Sequence, residues 1–566
     1  MKRFCLVATG AMLVTPLFLF APAAVAAQAL TTDQEARITE VFSDLDAPES
    51  PGASVAIIRG GEIIYSRGFG SAQLEYGLPI TPETVFHVAS VSKQFTAMAV
   101  LLLAAEGKLD LDDDIRTHMP EVPDMGGLVT PRHLLQHTSG VRDQWQLLAM
   151  AGWRMDDVIT KEHVRRLLSK QEELNFEPGT RYLYSNMGFS LAADLVERVS
   201  GMPFQDFVGE RIFQPLGMGA THVHDDHRHV VPNRAYSYAT HPDGGFEKRV
   251  LSFANHGATS LFTTAEDLVA WLDNFRTVEV GNPESHRAMQ TRAVLTDGDT
   301  VGYGLGLSVG PFRGVPRVGH GGSDAGFRSN VSWFPKQELG IVVLSNLATG
   351  NPALRDMRIT MILLEDELGA PPAPAGETAS GESGEVQLSQ SDLEALEGRF
   401  ASPIGVVELE VREGALWATS PDTVRLTATS STTFQAEDFP MSLTFHVGEA
   451  ADSITLVQRQ SGIEIMARRE AVSPEFGDYA GHYYSPEIET IYEIRQIEGE
   501  LAVYNLKLGE IPLTSAGRAD AFFTQVFPLG SMQFFRDDSG AVAGFRATRG
   551  RVLNLRFMKM DGGLPR

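Results

Sequence analysis

Ser90-Val91-Ser92-Lys93, running into the apolar stretch Phe95 to Ala105, is the segment on which the reading turns. The pattern predicts a helix that begins near Ser90. Positions i and i+3 share a helical face, so the Lys93 nitrogen reaches the Ser90 oxygen while Ser92 points elsewhere. A serine hydroxyl is a poor nucleophile until a base takes its proton, and a buried lysine with a lowered pKa can be that base. The helix N-terminus also favours the negative charge that develops there. Ser and Lys meet at this spacing in many unrelated helices, so the assignment needs partners elsewhere in the chain.

Two further segments supply them. In Phe176-Glu177-Pro178-Gly179-Thr180-Arg181-Tyr182-Leu183-Tyr184-Ser185-Asn186, a phenol and an amide sit two apart around a small residue. Tyr184 is a candidate general base if neighbouring cations lower its pKa, and Asn186 a candidate donor to a substrate carbonyl. In Arg317-Val318-Gly319-His320-Gly321-Gly322-Ser323, ahead of an expected strand Phe327 to Phe334, glycines such as Gly322 let a substrate backbone lie close to a strand edge. There the Ser323 amide can pair with the Ser90 amide as an oxyanion hole, and His320 offers a titratable cation.

The rest of the chain sets the frame. Its 566 residues exceed what one core usually supports, and a net charge of -25 argues against a nucleic-acid or anionic-membrane surface. Residues 1–27 read as a secretory signal: Lys2 and Arg3, an apolar run from Phe4 to Phe20, then Ala23-Ala24-Val25-Ala26-Ala27. The single cysteine, Cys5, lies inside it, so a processed chain has no disulfide, thiolate metal site or cysteine nucleophile. A periplasmic or secreted bacterial protein with no integral membrane segment after processing is the expectation.

A helix from Asp33 to Leu45 and a hairpin from Ala53 to Tyr65 open a mixed region, 28–368, whose last helix runs from Ala353 to Leu368. Residues 369–389, rich in Gly, Pro, Ser and Glu, read as a linker. Beyond it the texture is short alternating strands, and it repeats. Gly398-Arg399-Phe400-Ala401-Ser402-Pro403 returns as Gly481-His482-Tyr483-Tyr484-Ser485-Pro486, and Glu413-Gly414-Ala415-Leu416 as Glu498-Gly499-Glu500-Leu501. Two antiparallel barrel-like modules, 390–472 and 473–566, account for this, because closure removes exposed strand edges.

The three chemical segments, in this order, resemble the serine β-lactamase and penicillin-binding-protein family, in its class C and D-aminopeptidase-like branch. Leu134-Leu135-Gln136-His137-Thr138-Ser139-Gly140, Pro215-Leu216-Gly217-Met218, Thr264-Ala265-Glu266-Asp267-Leu268 and Tyr303-Gly304-Leu305-Gly306 add to the resemblance. It implies an α+β fold, an antiparallel sheet flanked by helices with an all-helical lobe. It also implies Ser90 as acylated nucleophile, Lys93 and Tyr184 sharing its proton, Tyr184 activating the deacylating water, and Asn186, His320, Gly322 and Ser323 binding substrate. His320 stands where the family's Lys-Thr-Gly version has lysine, which shifts the expectation toward peptides, possibly containing D-amino acids, amides or esters. β-Lactamase or D,D-carboxypeptidase activity, or non-catalytic binding of cell-wall fragments, are the alternatives. No cofactor and no metal are expected, and the partner is a small-molecule or peptide substrate; sequence leaves the oligomeric state open. The run His222-Val223-His224-Asp225-Asp226-His227-Arg228-His229 has ligand types for zinc but lacks a helical His-Glu-x-x-His arrangement, and reads as a solvated loop. His133 and His137 read as packing or loop residues.

Overall fold

The computed structural model describes residues 29–369 and 388–560, apart from residues 395, 403–404, 413, 420–422, 437–440, 448–450, 459–462, 470–475, 498 and 517–519. The expected signal segment and nearly all of the expected linker lie outside the described residues, as do Glu413 and Glu498 of the repeat.

Six strands make the central sheet: β1 (Ala53–Arg59), β2 (Glu62–Phe69), β3 (Ser308–Val309), β4 (Val318–Asp324), β5 (Phe327–Phe334) and β6 (Leu339–Ser345). They are ordered β3-β4-β5-β6-β1-β2, every pair antiparallel. An unbroken apolar strand such as Ala53-Ser54-Val55-Ala56-Ile57-Ile58 belongs where both faces of a sheet are covered. Period-2 alternation then divides its side chains. Val55 and Ile57 pack with Phe42 and with Ile359 of α5 (Pro352–Leu363), beside α1 (Thr32–Glu40). Ala56 and Ile58 pack on the other side with α2 (Lys93–Ala105) and α4 (Ala265–Thr277).

Helix α2 is apolar almost all round because it runs between the sheet and a helical lobe, and ten of its residues are buried. That lobe includes the helices Pro131–Gln136, Gln144–Met150 and Lys161–Leu168, and α3 (Asn186–Ser200). Ser90 itself lies on a 3-10 turn, Ala89–Ser92, and the α-helix starts at Lys93, three residues later than the spacing suggested. Ala89, which opens that turn, is held at φ 49°, a left-handed conformation costly for a residue with a Cβ.

After residue 388, two closed eight-stranded barrels follow, from Gly398–Ser402 to Ile463–Arg469 and from Gly481–Ser485 to Val552–Lys559. The repeated Gly398 and Gly481 segments are the first strand of each. Phe400, Leu416, Phe434 and Ile454 fill a separate core in the first barrel. The second barrel is locked to the helical lobe. Arg142, buried, donates to buried Glu487 at 2.5 Å and to the Leu553 carbonyl at 3.2 Å; Arg546 pairs with Glu173 at 2.7 Å, and the Tyr492 hydroxyl donates to the Met150 carbonyl.

Candidate active site

The turn that carries Ser90 is anchored to two neighbouring strands. Val88 N–H donates to the Leu261 carbonyl at 3.0 Å, and the Val88 carbonyl accepts from the Ser329 hydroxyl at 2.8 Å. The Ser92 hydroxyl donates to the Ala89 carbonyl at 2.6 Å and accepts from Leu261 N–H at 3.1 Å, so its turning away from Lys93 serves to fix the turn. Strand β4 passes so close that a Cβ on Gly322 would come within 2.2 Å of the Ser329 hydroxyl and 2.3 Å of the Val88 carbonyl. Only glycine fits there.

Lys93 is buried, with its Nζ 3.1 Å from the Ser90 Oγ, 2.8 Å from the Asn186 Oδ1 and 2.7 Å from the Ala258 carbonyl. The last two atoms only accept. A neutral amine has two N–H groups for them and one lone pair left for the Ser90 hydroxyl proton. Burial pulls the Lys93 pKa down to about 7, against the opposing charges of Asp324 and Asp143, so that neutral form is populated near neutral pH.

Asn186 is held from behind by Asp143, whose Oδ2 accepts from the Asn186 N–H at 2.8 Å and its Nδ2 at 2.7 Å. Asp143 Oδ1 caps the helix Gln144–Met150 through Trp145 and Gln146 N–H groups at 3.1 and 3.2 Å. Asn186 thus ties Lys93 to Asp143, a positioning duty besides any contact with substrate. The His137 ring lies 3.9 Å from that of Tyr184, centroid to centroid, and its Nδ1 accepts from Ser185 N–H at 3.1 Å, a packing and loop-bonding role.

Two expectations change. Burial raises the Tyr184 phenol above its usual range, outweighing the Ser90 hydroxyl and the Arg551 charge that act to lower it. In the resting site Tyr184 is therefore protonated, and the Lys93 amine is the candidate proton acceptor. His320 is not a cation either. Its Nδ1 lies 2.6 Å from the Gly321 carbonyl, which only accepts, and its Nε2 lies 2.8 Å from the Tyr303 hydroxyl. Nδ1 then carries the proton and Nε2 accepts from Tyr303, a neutral imidazole with both nitrogens engaged. Burial and the Lys93 charge push its pKa down to about 4.

Ser90, Tyr184, Asn186, His320, Gly322 and Ser323 line one cavity of about 750 Å³. Strand β3 pairs only with Val318 and Gly319, so among the described residues the stretch from His320 to Asp324 has no strand on its outer side and presents an edge to the cavity. The cavity also holds a residue the sequence reading missed. Arg551, in the turn between the last two strands of the second barrel, lies over the Tyr184 ring at 4.6 Å and places Nη1 3.7 Å from Asp143 Oδ2. Nothing local marks it. Asp143 was also missed, although an aspartate directly before an apolar helix is a legible cap.

The histidine run is only partly a solvated loop. His224 is buried, and His222 and His229 turn toward it.

The beta-lactamase family model matches residues 38–365, more than half of the chain. The chain belongs to the beta-lactamase family. Its relatives include the D-aminopeptidase of Gluconobacter oxydans, 30% identical over 55% of this chain and 59% of that protein. The match therefore spans less than two thirds of that relative's length. The D-aminopeptidase of Cereibacter sphaeroides is 28% identical over 76% of this chain and 83% of its own. Among solved structures, the octameric penicillin-binding protein homologue from Pyrococcus abyssi shares the fold with TM-score 0.53 and 23% identity, over 77% of this chain and 99% of that one. The D-amino acid amidase of Ochrobactrum anthropi SV3 does so with TM-score 0.51 and 24% identity, over 59% and 99%. In this member of the beta-lactamase family, Ser90 opens onto the cavity and the buried Lys93 stands behind it. No helix among the described residues is long and apolar enough to cross a membrane.

Proposed function

We propose that this protein is an exported serine hydrolase that cleaves amide or peptide bonds, favouring substrates with a D-amino acid, through an acyl-enzyme on Ser90. The observation that carries the reading is the buried Lys93 Nζ 3.1 Å from the Ser90 Oγ, with two N–H groups taken up by the Asn186 Oδ1 and the Ala258 carbonyl. Neutral Lys93 takes the Ser90 proton as Oγ attacks the substrate carbonyl carbon. The carbonyl π pair moves onto oxygen, for which the Ser90 and Ser323 N–H groups are the candidate donors, both residues lining the cavity. On collapse the C–N bond breaks, and the leaving amine takes a proton from Tyr184, which recovers one from Lys93. Water then adds to the ester, giving the acid and free Ser90. The names of the D-aminopeptidase relatives support the substrate class, and the signal-like residues 1–27 support export.

Incubation with a fluorophosphonate, followed by intact mass and peptide mapping, is expected to give one adduct on Ser90 and none in Ser90→Ala. Turnover of matched D- and L-amino-acid amides is expected to favour the D form. An adduct elsewhere overturns the nucleophile; equal turnover of both forms overturns the substrate class.

A second reading has its own support. Arg551 places a fixed cation in the cavity that neutral His320 does not supply, which suits a substrate carboxylate such as that of a β-lactam or a D,D-peptide. Hydrolysis of a chromogenic cephalosporin faster than of any amino-acid amide would favour it.

A further inference from the structure

We propose that His222, His224 and His229 form a zinc site that fastens the outer strand of the small sheet behind the nucleophile turn. His222 and His224 are two apart on an extended segment, so their rings share a face. The Asp226 carboxylate accepts from Arg228 N–H at 2.9 Å and its carbonyl from His229 N–H at 3.0 Å, a turn that brings His229 back onto the same face. One ring nitrogen of each histidine lies within 4.8 Å of the others.

The distances suit the ion. Four nitrogens held tetrahedrally at about 2.0–2.1 Å from zinc lie about 3.3–3.4 Å apart. His222 Nε2 and His224 Nδ1 are 3.4 Å apart. Imidazole is a preferred zinc ligand, and three of them leave the fourth position to water or an anion. The Phe262 ring backs both His222 and His224, giving the apolar wall that limits solvent around such sites. Arg234 shares that ring at 4.8 Å, and its charge favours an anionic fourth ligand such as hydroxide.

The other candidate cluster, Asp194, Glu197 and His256, is the weaker one. Arg165 already occupies both carboxylates, at 2.5 and 2.8 Å, where a cation would have to sit.

The position gives the site its role. Strand His222–Val223 pairs with Leu261–Thr263, which pairs in turn with Phe86–His87, and Leu261 holds both Val88 and Ser92 of the nucleophile turn. None of the three histidines lines the Ser90 cavity. A bound zinc ion therefore stiffens the support of the turn and takes no part in chemistry.

The test uses the full chain without an affinity tag, stripped with a chelator and titrated with zinc chloride against a chromophoric competitor. One equivalent is expected to bind and to raise the melting temperature. His229→Ala, in an exposed loop, and His224→Gln are expected to weaken binding roughly 100-fold or more, since even outer-shell changes cost 10–100-fold. His256→Gln is expected to leave it unchanged. Cobalt(II) in place of zinc should give the intense visible bands of a tetrahedral nitrogen site, absent in His229→Ala of unchanged circular dichroism. No stoichiometric zinc, equal affinity in His229→Ala, or loss only in His256→Gln overturns the proposal.

Discussion

The Arg551 guanidinium of the second barrel lies over the Tyr184 ring of the beta-lactamase family domain, 4.6 Å from its centroid. A cation in that place holds the phenol's face, lines the cavity and opposes the rise in the Tyr184 pKa that burial imposes. Arg551→Ala is expected to lower kcat/KM about tenfold, about 1.4 kcal/mol, and further for substrates with a free carboxylate, with partial recovery in Arg551→Lys. Steady-state kinetics on matched neutral and anionic substrates measures this; an equal loss on both would leave Arg551 a role in holding Tyr184 alone.

The pH profile should follow Lys93. Acylation needs its neutral form, so kcat/KM is expected to rise with pH through about 7. His320 is already neutral there, and His320→Gln should lower the rate without moving that midpoint. A midpoint that shifts in His320→Gln would restore His320 to the ionisation.

Lys93 also links stability to pH. Its pKa falls from 10.5 to about 7 on burial, so between those values the unfolded chain binds more protons than the folded one. Stability from this group therefore rises as pH rises through that window and is level below it. Wild type is expected to gain on Lys93→Met between about pH 6 and about pH 9 by a few kcal/mol in denaturant unfolding. A pH-independent difference would mean that the lysine is not depressed.

Gly322→Ala puts a methyl group where the Ser329 hydroxyl and Val88 carbonyl stand. Strand β4 must then move off the Ser90 turn. A stability loss of about 1–3 kcal/mol is expected, with a larger loss of acylation rate in a stopped-flow burst experiment; retention of the burst would show that the strand edge is not part of the oxyanion site.

Glu487→Gln breaks a buried pair and leaves the Arg142 charge facing an amide. Loss of one partner of a buried pair typically costs about 3–5 kcal/mol. The second barrel should loosen from the helical lobe, seen as faster proteolysis between them, and the carboxylate preference should weaken as Arg551 is released.

The sequence alone determined the elements whose logic is local. The hairpin Ala53 to Tyr65, strand Phe327 to Phe334 and the twin barrels are written in period-2 alternation and turn residues, and Ser90 and Lys93 in the i, i+3 spacing of one turn. Helix ends were less legible. The first helix stops at Glu40 before a 3-10 turn at Ser43–Leu45, and the last one in the domain at Leu363, short of Leu368, because frayed ends are decided by packing.

Only the tertiary structure decided the charges and the visitors. Whether Lys93, Tyr184 and His320 carry a proton depends on desolvation by neighbours far away in the chain, and a pKa has no one-dimensional signature. Arg551 reaches Tyr184 because Arg142 and Glu487 dock a barrel on the helical lobe, and His229 reaches His222 because Asp226 turns a loop. Local backbone preference can place a nucleophile beside its base, whereas solvation and long-range packing decide what that base is and what else shares the cavity.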